Sequence, residues 1–172
     1  TLQFSSAAYG VGEAAGTATI TVTRTGGSDD AVGVTYATGN GSAQAPDDYA
    51  SAGNTLTWSD GDAASKTFDV SINNDGSDED NETVNLGLAN PTGGATLGAP
   101  TAAVLTIGDD DAPASLSIND VASAEGAAGT TAFTFTVSLS PASGKTVSVN
   151  AASADGSATV ADLDYATLAS TP

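Results

Sequence analysis

Apolar residues in this chain recur at every second position, in short runs broken by Gly, Asn, Asp, Ser and Pro. The runs are Leu2 and Phe4; Ala18, Ile20 and Val22; Val32, Val34 and Tyr36; Leu56 and Trp58; Phe68, Val70 and Ile72; Val84, Leu86 and Leu88; and Ala103, Leu105 and Ile107. Side chains of a strand point alternately to opposite faces, so each run predicts a strand with one buried face, and no stretch argues convincingly for a helix. Seven such runs in the first 107 residues, separated by turn clusters, predict an all-β, seven-stranded immunoglobulin-like Greek-key β-sandwich.

The pattern then begins again. Leu116 and Ile118, Phe133 to Leu139, and Val147 with Val149 repeat the first three strands. Residues repeat as well: "TGNGSA" at 38–43 answers "SADGSA" at 153–158, "DDYA" ending at Ala50 answers "LDYA" ending at Ala166, and Glu13 answers Glu125. These matches read as tandem copies of one module. We expect a complete module at 1–111, a linker at 112–114, and the N-terminal half of a second module at 115–172.

Charge and composition remove most functional classes. Asp and Glu number 21 against 3 Lys and Arg, a formal charge of −18, which leaves almost no basic surface for nucleic acid or anionic lipid. No apolar run is long enough to enter a membrane as a helix. There is no Cys and no His, so disulfides, thiolate chemistry, imidazole bases and the usual zinc, copper or iron sites are out of reach. The chain starts at Thr1 and holds no Met, from which we expect a piece of a longer or processed protein.

The acids are unevenly placed. "DGSDEDNE" at 75–82 holds five of them and no base, although neighbouring carboxylates repel by about 1 kcal/mol at 4 Å in water and by more where solvent is excluded. If successive strands run up and down, the segments after strands one, three, five and seven emerge at one pole. That parity gathers Glu13, Asp47, Asp48, the acids of 75–82, and Asp109, Asp110 and Asp111. Asp29, Asp30, Asp60 and Asp62 fall at the other pole, in turns where Asp bonds its own backbone. An isolated acidic loop would be read as solvated surface. Four converging loops point instead to a hard cation, and Ca²⁺, which takes six to eight oxygens in flexible geometry, suits them better than Mg²⁺. Ser71, Asn73, Asp75, Gly76 and Glu82 imitate EF-hand spacing, but the first ligand is missing and the flanks alternate as strands. No nucleophile–base pair can be built, Lys66 and Lys145 read as ordinary surface lysines, and we expect no enzyme.

Taken together, "VGEAAGTATITVTRTG", "DDYA", "TLTWSDGDAASKTFDVSINND", "DEDNETVNLGLANPTGGATLG" and "AAVLTIGDDD" resemble the Calx-beta domain family. The resemblance covers the first module and the opening half of the second. It implies calcium ligands at Glu13, Asp48, Asp75, Glu79, Glu82, Asp109, Asp110 and Asp111; the other acids of the same pole, Asp47, Asp78 and Asp80, are further candidates, and the repeat supplies a partial second site at Glu125 and Asp164. Asn74 departs from the pattern, standing where some calcium-binding members carry an acid. The expected function is a calcium-stiffened structural or adhesive repeat of a large extracellular or cell-surface bacterial protein or fibre. Its partners would be neighbouring modules of the same chain or identical subunits. The alternative is a recognition module that takes a glycan or protein through its loops, where aromatics are few: Tyr9, Tyr49 and Tyr165.

Overall fold

The computed structural model describes residues 1–168. The first module is a sandwich of two sheets. A three-stranded sheet has the order β1 (Leu2–Phe4), β3 (Thr17–Arg24), β6 (Lys66–Ser71). A five-stranded sheet has the order β2 (Ala8–Gly12), β8 (Ala102–Gly108), β7 (Glu82–Thr92), β4 (Val32–Asn40), β5 (Gly53–Trp58). The connections β3 to β4, β5 to β6 and β6 to β7 each cross between sheets, which gives the Greek-key path.

Each of the seven alternating runs lies on a strand, with Ile72 just beyond the end of its own. Ile20 and Val22 on one sheet, and Val84, Leu105 and Trp58 on the other, are buried in a single shared core, while the residues between them face outward. Apolar area removed from water at about 25 cal/mol per Å² is what holds the sheets face to face.

The seven-strand expectation differs in one place: the first strand is divided. After Phe4 the chain leaves the three-stranded sheet, and Ala8–Gly12 joins the other, pairing in parallel with β8 from Ala8↔Val104 to Gly12↔Gly108. This edge segment, AYGVG, is only half buried at alternate positions and carries two glycines, so its sequence signal is weak. Because β1 and β2 run in the same direction, the division leaves strand parity unchanged.

The second module departs further. Three strands were expected there, but the described residues form two, β9 (Ser115–Ile118) and β10 (Val137–Ser140), paired antiparallel. Phe133, Phe135, Val147 and Val149 lie outside strands and are exposed. With no second sheet facing them, nothing rewards their burial, and strand order persists only where a neighbouring strand supplies hydrogen bonds.

Candidate metal centre

The ends of β2, β4, β6 and β8 meet at one pole, as parity required. Gly12 leads into a single 3-10 turn, Glu13–Ala15, closed by Gly16 at φ 70°, a left-handed conformation that glycine adopts without steric cost. The turn buries Glu13 and aims its Oε1 at the backbone N–H of Asp75, which donates to it at 2.7 Å. After β4 the chain folds back over the pole. Tyr49 is fully buried and donates its hydroxyl to Asn40 Oδ1 at 2.8 Å, fixing the neighbouring Asp48, whose Oδ2 accepts from Gln44 N at 2.6 Å. Tyr49 is thus a core anchor, where the sequence suggested a loop aromatic.

Asn73 ties this loop to the one after β6. Its amide donates to the carbonyls of Pro46 (2.6 Å) and Asp47 (2.7 Å), and its backbone N–H donates to Asp48 O at 2.9 Å. Asn81 Oδ1 likewise accepts from Asp109 N at 3.2 Å and ties in the segment after β8. The sequence singles out Asn73 only in the rejected EF-hand spacing and Asn81 not at all; their place among the acids is the available signal, and their neutral side chains hide it.

Two carboxylate groups result. Oxygens of Glu13, Asp75 and Asp111 lie within 4.8 Å of one another, as do those of Asp48, Glu79 and Glu82. Both groups line or adjoin one cleft, which Asp47, Asn73, Asp80 and Asp109 also border. The remaining expected residues are placed as follows. Asp110 is exposed and belongs to neither group, and Asp78 is buried and paired with Lys145 Nζ at 2.6 Å. Glu125 and Asp164 are exposed and join no such group among the described residues. Asn74 is exposed and its amide donates to Asp75 O at 3.3 Å.

The electrostatics follow from crowding. Burial, then the adjacent Asp48, pushes Glu82 from 4.5 up to about 7. Burial also raises Glu79, helped by the charges of Asp75 and Asp48, and raises Glu13 against the Asp75 N–H that lowers it. Asp111 is raised by desolvation and by Asp109 and Asp110. Asp109 Oδ1 and Asp111 Oδ2 are out of contact with water and accept no hydrogen bond, a condition that costs stability unless a cation or donor takes the lone pairs. All-oxygen donors, mutual repulsion and orphaned oxygens together fit a hard divalent cation.

The opposite pole is built otherwise. Arg24 donates to the carbonyls of Gly27, Asp29, Asp30 and Asp62, Asp60 Oδ1 accepts from Asp30 N, and Asp62 pairs with Lys66 at 2.7 Å. Asp60 and Asp62 thus have partners for their carboxylates, while Asp29 and Asp30 take part through their backbone.

A family model of the Calx-beta domain matches residues 1–111 and again 119–171. Among solved structures, the apo-form Calx CBD1 domain is similar at TM-score 0.61 and 29% identity, over 64% of this chain and 96% of that one. The calcium binding domain CBD12 of CALX1.1 is similar at TM-score 0.62 and 29% identity, over 64% of this chain and 45% of that one. The Calx CBD2 domain, at 18% identity and TM-score 0.58 over 63% of this chain and 86% of that one, shares the fold. No curated protein matches the chain.

Proposed function

The chain belongs to the Calx-beta domain family, and from that premise we propose that its first module binds calcium at the pole where β2, β4, β6 and β8 end. The two carboxylate triads carry this reading, Glu13, Asp75 and Asp111 on one side and Asp48, Glu79 and Glu82 on the other, with no base in either. One ion per triad is the natural occupancy, and Asp109, whose charge acts on both Glu13 and Glu79, lies where it can serve both. Bound Ca²⁺ would neutralise the repulsion, take up the orphaned oxygens of Asp109 and Asp111, and hold four otherwise separate loops to one another. Similarity to the calcium binding domain of CALX1.1 supports the same reading.

The module's role follows from where the site sits. Asp109, Asp110 and Asp111 lead into β9 through a few residues, so an ion there stiffens the junction between consecutive modules. We read the chain as a structural or adhesive repeat of an extracellular protein, without catalytic function. The glycan-binding alternative loses two of its three loop aromatics, since Tyr49 is buried and Tyr9 lies on β2, packed against the core.

Calorimetric titration with Ca²⁺ and then Mg²⁺ tests the proposal. Saturable calcium heats with weaker magnesium binding are expected; a titration with no calcium heat overturns it.

A further inference from the structure

Lys145 is one of only three basic residues in a chain of net charge −18, and it does not lie free on the surface of its own module. Its Nζ reaches Asp78 Oδ1 at 2.6 Å and Asp80 Oδ1 at 3.7 Å, across 67 residues of sequence and onto the acidic loop of the first module. The contact is more than an ion pair. Asp78 N donates to Ala142 O at 3.3 Å, Gly144 N donates to Asp78 O at 3.1 Å, and Ser143 Oγ donates to the same carbonyl at 3.1 Å. Asp78 and Ser143 form an isolated parallel bridge. The Asp78 side chain is 13% exposed, so the pair is sheltered from solvent on its acidic side.

Gly144 completes the fit. A Cβ at that position would stand 2.5 Å from Glu79 Oε1 and 2.9 Å from Glu79 Cγ, so the turn approaches the loop as closely as a residue without a side chain permits. Ammonium, hydroxyl and bare backbone therefore come from one short turn and meet one residue and its neighbours.

We propose that the turn at 141–145 is a docking clasp by which the second module grips the first at Asp78. The clasp borders the second triad, with Gly144 against Glu79, but its charged grip falls on Asp78, which belongs to neither triad, so pairing Asp78 with Lys145 removes no oxygen from them. Asp78 is thereby assigned to module docking rather than to an ion, and Asp80, 94% exposed, is a secondary contact. An exposed ion pair alone contributes little; charge-assisted bonding to a sheltered carboxylate, with three hydrogen bonds at its backbone, gives orientation as well as attraction.

The chain has no Cys, so spin labels can be attached solely at Thr57→Cys and Ser117→Cys, one on each module, and their separation measured by pulsed dipolar spectroscopy. A single narrow distance population is expected in about 0.1 M salt, broadening at about 1 M, where the Debye length falls from about 10 Å to about 3 Å. Lys145→Asp is expected to broaden it, and Asp78→Lys together with Lys145→Asp to narrow it again. A Lys145→Asp distribution as narrow as the parent's, or a double exchange that fails to restore it, overturns the clasp. Calcium titration of the same proteins keeps the two proposals separate: a parent that gives no calcium heat refutes the metal site while leaving the distance result standing, and Lys145→Asp, which removes no triad oxygen, is expected to retain saturable calcium heats.

Discussion

The two modules carry the same pattern and meet different fates. In the first, Leu2 pairs with Arg24 and Phe4 with Val22; in the second, Leu116 pairs with Leu139 and Ile118 with Val137, at the corresponding positions. The loop motif repeats in detail. Asn40 Oδ1 accepts from Tyr49 Oη at 2.8 Å and Ala45 N at 3.2 Å, and Asp155 Oδ1 accepts from Tyr165 Oη at 2.7 Å and Val160 N at 3.0 Å. Asp48 Oδ2 accepts from Gln44 N, as Asp164 Oδ2 does from Thr159 N. Yet Leu2 and Phe4 are fully buried while Leu116 and Ile118 are 41% and 63% exposed. A turn closes on its own side chains, whereas a strand's apolar face needs a second sheet.

The comparison breaks most visibly if the modules are separated. Residues 1–111 alone are expected to melt cooperatively, because both sheets and the shared core lie within them. Residues 115–172 alone are expected to show no cooperative transition, since an uncovered apolar face and open strand edges cannot offset chain entropy. A cooperative monomeric melt of the latter would refute this account. Ordered, concentration-dependent polymers of the full chain would instead identify a second copy as the source of the missing strands, pairing edge to edge.

Core truncation sharpens the same contrast. Ile20 and Phe135 occupy matching positions in the two copies, one buried and the other 55% exposed. Ile20→Ala is expected to destabilise the main unfolding transition by about 2–5 kcal/mol, and Phe135→Ala to change it by less than about 0.5 kcal/mol. Denaturant unfolding followed by the fluorescence of Trp58 reads both. Equal effects would mean that the second module is packed in solution.

Calcium separates Glu13 from its counterpart Glu125. The first is buried against Asp75 and Asp111; the second is exposed and outside any carboxylate group among the described residues. Binding stabilises by RT ln(1 + [L]/Kd), about 2.7 kcal/mol at a hundredfold excess, so chelation is expected to lower the melting temperature of the first module. Glu13→Gln is expected to abolish most of that difference, with Glu125→Gln and the opposite-pole Asp29→Asn leaving it intact. Thermal melts in chelator and in excess calcium check this, and equal responses from all three variants would dismantle the assignment of the poles.

Strand positions and the polarity of the sandwich were legible because period-two burial and up-and-down connection are properties of short segments, visible in Ile20, Val84 and Leu105. The β2 edge strand was not, because its alternating pair, Tyr9 and Val11, is only half buried and is set between glycines. Parity gathered the acids at one pole but could not sort them: Asp75 and Asp78 are three residues apart, yet one enters a carboxylate triad and the other meets Lys145. That sorting depends on side-chain direction within an irregular loop, which has no period to read. Lys145 looked like any surface lysine because its partner lies in another module.

Protons give the smallest effect and distinguish the two poles within one module. Glu82 sits at about 7 in the folded chain against an ordinary 4.5, chiefly because burial disfavours its charge and secondarily because of Asp48; Glu13 and Glu79 are displaced in the same direction. Between those two values the metal-free native state holds more protons than the unfolded state, so its stability falls as pH rises. Asp62, lowered from 3.8 by Lys66, acts in the opposite sense, but below this window. In chelator, the melting temperature is therefore expected to be higher near pH 5 than near pH 8, and Glu82→Gln is expected to flatten the difference. Calcium favours the charged carboxylates, so its affinity is expected to rise with pH through about 7, opposite in sign to the stability of the metal-free protein. Melts in chelator and calorimetric titrations at both pH values test the pair of trends. A metal-free protein more stable near pH 8 would mean that the acids at this pole are not crowded in solution.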